Sequence, residues 1–165
     1  MNQATDETTQ LNTNSEASTE ALSDLISRND TMGGVIATSA LRSFTNKVKL
    51  DHLLYKMRVY QLLMGSLTQE ALNLTEPTDC ALGQWYYQGE GVQCYSQLQG
   101  YRDLEAPHRE VHLQAKQVVD LYLAGDFESM ESALQKMEAA SQSVQDCLEK
   151  MVEDAEKRPD ILCVH

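Results

Sequence analysis

His108 and His112 stand four residues apart in the run Pro107-His108-Arg109-Glu110-Val111-His112, and Ala115, Val119 and Tyr122 continue at offsets 7, 11 and 14 from His108. Those intervals describe one side of a 3.6-residue helix, so both imidazoles point where a core should be. A core penalises unpaired polar rings. A metal ion would satisfy them, because two histidines at i and i+4 can converge on one ion. The chain holds four histidines and four cysteines. With the tail pair Cys163 and His165 set aside, the third imidazole is His52. Cys80 is the favoured thiol, since it stands beside Trp85 and Tyr86 in a run that should pack on other helices, whereas Cys94 and Cys147 read as small buried side chains. Three imidazoles and one thiolate form a tetrahedral donor set suited to Zn²⁺. Periodicity does not by itself bring His52 and Cys80 to the His108/His112 pair.

Helices must position these groups. The pattern predicts a first helix over 38–73 with Leu50, Leu53, Met57, Tyr60, Met64, Leu67 and Ala71 as its core stripe, and His52 on a flank with Lys56, Val59 and Leu63. Pro77 marks a turn. A short helix over 79–88 carries Cys80, Leu82, Trp85 and Tyr86 and closes at Gly89 and Gly91, and a weakly patterned helical piece follows over 92–99. A helix over 106–124 opens with Pro107 in its first turn and ends at Gly125. Asp126 caps the last helix, where Met130, Leu134, Met137, Ser141, Val144, Leu148 and Met151 keep a seven-residue repeat until Arg158-Pro159 stops it. Residues 1–37 read as a polar arm, flexible or partly helical, with a break at Met32-Gly33-Gly34; 38–157 form the domain and 158–165 a tail. The fold expected is an all-α bundle of up-and-down helices joined by short connections, with additional short helices and the metal site in its interior.

Composition narrows the function. A chain of 165 residues accommodates one modest core. Its net charge of −12 disfavours nucleic acid and anionic lipid as partners. No apolar run is long enough for membrane insertion, and four sparse cysteines without a secretory signal point to a reducing, cytoplasmic setting rather than a disulfide scaffold.

The segments Leu50-Asp51-His52-Leu53-Leu54-Tyr55-Lys56, Cys80-Ala81-Leu82-Gly83-Gln84-Trp85-Tyr86 and Pro107-His108-Arg109-Glu110-Val111-His112 resemble the chemoreceptor zinc-binding domain, a bacterial regulatory module. The family's marks are a first-helix histidine followed by a lysine, a Cys-x-Leu/Phe-Gly-x-Trp-Tyr run and a His-x-x-x-His pair, and all three occur here in order across about residues 45–155. The resemblance implies a four-helix bundle, often a homodimer, with His52, Cys80, His108 and His112 as zinc ligands. It also implies a signalling partner, since family members are usually attached to chemoreceptors or to enzymes that make cyclic dinucleotides. The arm is too short for either, and residues 11–48 read as the stub of a receptor coiled coil with poor heptads.

Four protein ligands would leave no open position for substrate, and no GxSxG elbow, phosphate loop or HExxH motif is present, so no enzyme is expected. A sensor of zinc availability fits better, because ligation requires a deprotonated thiol and neutral imidazoles. Cys80 as a thiolate would also be redox-reactive, and the resemblance links the family to hypochlorous acid. A purely structural zinc is the rival. Haem or di-iron in the bundle is a third reading, and the absence of paired Glu-x-x-His motifs speaks against di-iron. Asp51, Lys56 and Trp85 are the groups that could support the ligands: Asp51 by accepting a hydrogen bond from an imidazole, Lys56 by pairing with a carboxylate, Trp85 by packing.

Overall fold

The structure, a computed structural model, describes residues 3–163. His165, of the tail pair set aside above, lies outside the described residues. Among those described there are helices and turns and no strand, as the 3-4 periodicity requires.

Helix α1 (Gln3–Leu63) is a single helix of 61 residues, about 90 Å long at 1.5 Å per residue. The break expected at Met32-Gly33-Gly34 is absent. Gly34 serves close approach instead: a Cβ there would lie 2.8 Å from Cβ of Pro159, so the bare backbone lets α1 dock on the turn that follows the last helix. The helix ends ten residues before the expected boundary, because Gly65 adopts φ 70°, which L side chains disfavour.

The side of α1 that faces the core also differs from expectation. Ala37, Leu41, Val48, His52, Tyr55 and Val59 are buried, whereas the predicted stripe points outward, with Leu50 61%, Leu53 51% and Met64 66% exposed. Two sides of this helix carry apolar residues at helical spacing, and periodicity cannot tell which one meets the bundle.

Helix α2 (Ala81–Tyr87) is short. The weakly patterned helical piece expected over 92–99 is present as a shorter π-helical turn, Gly91–Tyr95. Helix α3 (Tyr101–Ala124) starts earlier than expected and contains Pro107 in its interior. Proline lacks an N–H, so the carbonyl of Asp103 forgoes one helical bond there. Helix α4 (Phe127–Lys157) begins where Asp126 accepts a hydrogen bond from the backbone N–H of Ser129 at 3.1 Å, and it buries Met137, Ser141, Val144, Leu148 and Met151 as its seven-residue repeat predicts. Gly125, with φ 74°, turns α3 back onto α4, and these two helices share the most extensive interface.

Helix α1 lies antiparallel to α4. Arg42 pairs with Glu156, Lys49 with Glu149, and Lys56 with Glu138. The chain's C-terminal segment folds back over the bundle, and Cys163 forms a disulfide with Cys94 across 69 residues of sequence, Cα–Cα 5.1 Å. This corrects the reading of Cys94 as a plain buried thiol, and it ties down the tail expected from 158 as far as Cys163. Cys147 is a free buried thiol, as expected.

Candidate metal centre

Three elements supply the donors. His52 comes from the bundle-facing side of α1, Cys80 from the N-cap of α2, and His108 and His112 from successive turns of α3. One ligand atom from each of the four lies within 4.8 Å of every other. A zinc tetrahedron with bonds of about 2.0–2.3 Å places donors roughly 3.3–3.6 Å apart, so a small contraction closes the cage. The Sγ of Cys80 is already 3.2 Å from Nε2 of His108.

The imidazoles are oriented by backbone carbonyls. Nδ1 of His52 bonds the carbonyl of Val48 at 2.9 Å, and Nδ1 of His112 bonds that of Thr75 at 2.9 Å. With Nδ1–H as donor, Nε2 carries the lone pair. Nε2 of His52 and Nε2 of His112 are buried without a hydrogen-bond partner. Two orphaned acceptors aimed into a cluster with a thiol are costly unless a cation receives them. The residues therefore fit zinc.

Electrostatics agree. Burial pushes the pKa of His108 down to about 3 and that of His112 to about 4, with the neighbouring imidazoles adding to the shift, and burial also lowers that of His52. All three rings are neutral at pH 7, the form that binds metal. Burial pushes the Cys80 thiol up, opposed by the backbone N–H groups of Gly83 and Leu82. A bound divalent cation would reverse that preference.

The turn that holds Cys80 depends on Gly83. The N–H of Gly83 donates to Sγ of Cys80 at 3.3 Å. A Cβ on Gly83 would fall 1.8 Å from the carbonyl oxygen of Pro77, so only glycine lets the 77–80 turn lie on the first turn of α2. Trp85 supports the site by packing, as expected. It stacks on Phe44 of α1 with centroids 4.7 Å apart and on Tyr95 at 5.6 Å, tying α2 to the bundle.

Of the other two supporting candidates, Asp51 departs from expectation and Lys56 pairs with a carboxylate as expected. The carboxylate of Asp51 accepts from Lys47 at 2.6 Å rather than from an imidazole; the Val48 and Thr75 carbonyls take that role because they lie within reach of Nδ1. Lys56 is buried and donates to Glu138 at 2.6 Å. Sequence reasoning missed the two carbonyls, which carry no residue-type signal, and Tyr55, whose buried hydroxyl has no partner. Tyr55 lines a cavity of about 230 Å³ beside the site with Asp51, Arg58, Thr75, Cys80 and His112.

Comparison with curated proteins and with solved structures returns no match. The family model described as the chemoreceptor zinc-binding domain matches residues 52–119. That stretch opens on His52 and contains Cys80, His108 and His112, so the likeness to this family falls on the residues that converge here.

Proposed function

We propose that this chain is a zinc-binding regulatory module that responds to zinc availability and to thiol oxidants. The observation that carries the reading is the convergence of four donors from three separate elements, two of them orphaned imidazole nitrogens. Bound zinc would supply a fixed positive charge that holds Cys80 as thiolate and links α1, the N-cap of α2 and α3. The rest of the response belongs to the chain. Cys80 sits at the N-cap of a seven-residue helix that packs on α1 through Trp85 on Phe44 and on α3 through Tyr86 on Tyr101, so loss of its ligation removes one tie of a short element. A thiolate attacked by hypochlorous acid gives up two electrons, becomes sulfenic acid and releases chloride. The cavity beside Cys80 gives a small oxidant a route to the sulfur.

Four protein donors close the coordination sphere, which favours regulation or structure over catalysis. We take the setting to be cytoplasmic, where the Cys94–Cys163 pair would open or close with the cellular thiol poise. No described helix is long and apolar enough to cross a membrane. The signalling partner would be a chemoreceptor or a cyclic-dinucleotide enzyme.

The closed donor set equally suits a purely structural zinc. Elemental analysis should give one zinc per chain, falling sharply in alanine variants of His52, Cys80, His108 and His112. Stoichiometric hypochlorous acid should release zinc from the wild type while helical content is retained. Full zinc retention in Cys80→Ala refutes the site. Melting of the whole bundle on chelation assigns a structural role instead.

A further inference from the structure

We propose that the cavity beside the metal centre is a binding site for a small organic carboxylate, gripped by Arg58 and the hydroxyl of Tyr55. The inference rests on the cavity's own groups and is independent of the metal reading.

Asp51, Leu54, Tyr55 and Arg58 lie at helical spacing on α1, so one strip of that helix walls the cavity. The other walls come from the connection through Asn73 and Thr75 to Cys80 and from the first turn of α2, Ala81 and Leu82. The volume of about 230 Å³ is room for roughly eight waters at about 30 Å³ each. It falls below the range of about 300–1,000 Å³ usual for drug-sized ligands. The occupant is therefore small.

Three observations give its chemistry. The first is a buried donor without an acceptor. Tyr55 is only 9% exposed, and its hydroxyl has no hydrogen-bond partner. An unmet buried hydroxyl is costly, and the converging metal donors do not include it. Its ring rests against that of His112, centroids 4.6 Å apart, so the phenol is held in place.

The second is a free cation. Acidic residues outnumber basic ones 25 to 13 in this chain, and Lys47, Lys49 and Lys56 on the same helix are all paired with carboxylates. Arg58 lines the cavity and has no ion pair among the described residues. A guanidinium is a planar fork that fits a carboxylate through two parallel N–H bonds.

The third is the remaining lining. Leu54, Ala81 and Leu82 are apolar, and Asp51, the cavity's one carboxylate, is already engaged by Lys47 at 2.6 Å. Apolar walls with a few convergent polar groups are the make-up of a small-molecule site. A carboxylate on a short apolar body meets every part of it: the oxygens accept from Arg58 and Tyr55, and the body covers the leucines. Inorganic phosphate would leave those walls bare. Because Cys80 lines the same cavity, an occupant also covers the approach to its sulfur.

The test is a ligand-observed NMR titration of the full zinc-loaded chain with acetate, butyrate and benzoate, and with benzamide as the neutral counterpart of benzoate. At least one carboxylate should bind saturably, and benzamide should bind more weakly than benzoate. Arg58→Gln and Tyr55→Phe should each weaken carboxylate binding by about tenfold with zinc content unchanged; the second variant keeps the ring on His112 and removes only the donor. In chelator-treated protein, saturating carboxylate should slow alkylation of Cys80 by iodoacetamide, and Arg58→Gln should abolish that protection. Absence of saturable binding by all three carboxylates in the millimolar range overturns the proposal. So does equal affinity for benzoate and benzamide, or full affinity in Arg58→Gln, which would assign binding to the zinc or to another surface. A bound carboxylate that leaves Cys80 alkylation unchanged lies elsewhere and overturns it as well.

Discussion

Substitution of Gly83 by alanine separates the requirements of the metal site from those of the fold. The added Cβ would sit 1.8 Å from the carbonyl oxygen of Pro77 and 3.0 Å from Cα of Thr78, both backbone atoms with no side-chain freedom to yield. Restoring ordinary contact requires the 77–80 turn and the first turn of α2 to part by about 1.5 Å, against the few ångströms of normal carbon–oxygen separation. Metal sites tolerate ligand displacements of only about 0.2 Å, and Cys80 lies on the moving turn. Overpacking of this kind costs about 1–3 kcal/mol of stability, a loss that α3 and α4, packed on each other away from this turn, should survive. Zinc affinity should fall by at least the roughly 10–100-fold seen when groups supporting metal ligands are removed. Competition against a chromophoric chelator measures the affinity, and urea unfolding of the metal-free protein measures the stability. A Gly83→Ala protein with wild-type zinc affinity would refute the view that this close contact positions Cys80. Equal fractional losses in Gly89→Ala, whose Cβ meets only the end of α2 at 3.0 Å, would show a general packing defect instead.

Two further outcomes follow from the geometry. Metal-free protein should lose stability on acidification from pH 7.5 to 5. The folded-state pKa values of His108 and His112, about 3 and 4, lie below the ordinary 6.5, so the unfolded chain binds more protons in this range. The destabilisation sets in as pH falls through 6.5 and saturates only below the folded values; linkage gives about 4 kcal/mol by pH 5 for the two rings together. Urea midpoints at several pH values check this, and a flat profile would contradict neutral buried rings. Separately, Cys163→Ser should lower stability by about 2–4 kcal/mol in non-reducing buffer, because the Cys94–Cys163 bond closes a 69-residue separation. With excess reductant the two proteins should unfold alike, and a difference that persists would assign the effect to packing of the C-terminal segment.

Much of this protein can be read from residue order alone. The all-helical class, the α4 core repeat from Met130 to Met151, the Asp126 cap and the Gly125 turn are local consequences of periodicity and backbone chemistry. The His108/His112 pair is local too, since four residues of helix place both rings on one side whatever surrounds them. His52 and Cys80 were legible as candidates through motif resemblance, and their spatial meeting with the pair is a property of the packed bundle.

Packing alone decided the rest. Helix α1 has apolar residues on two sides, and only the docking of α3 and α4 fixed His52, Tyr55 and Val59 inward and left Leu50, Leu53 and Met57 outside. At Gly34 it meets Pro159, more than a hundred residues away, at a distance that leaves no room for a Cβ. The carbonyls of Val48 and Thr75 that orient two imidazoles have no sequence signature, because every residue owns one. The joining of Cys94 to Cys163 depends on a C-terminal segment returning across the bundle. Periodicity is a property of neighbours along the chain, whereas these four outcomes are contacts between residues far apart in it, and contacts of that kind come into being only when the surfaces meet.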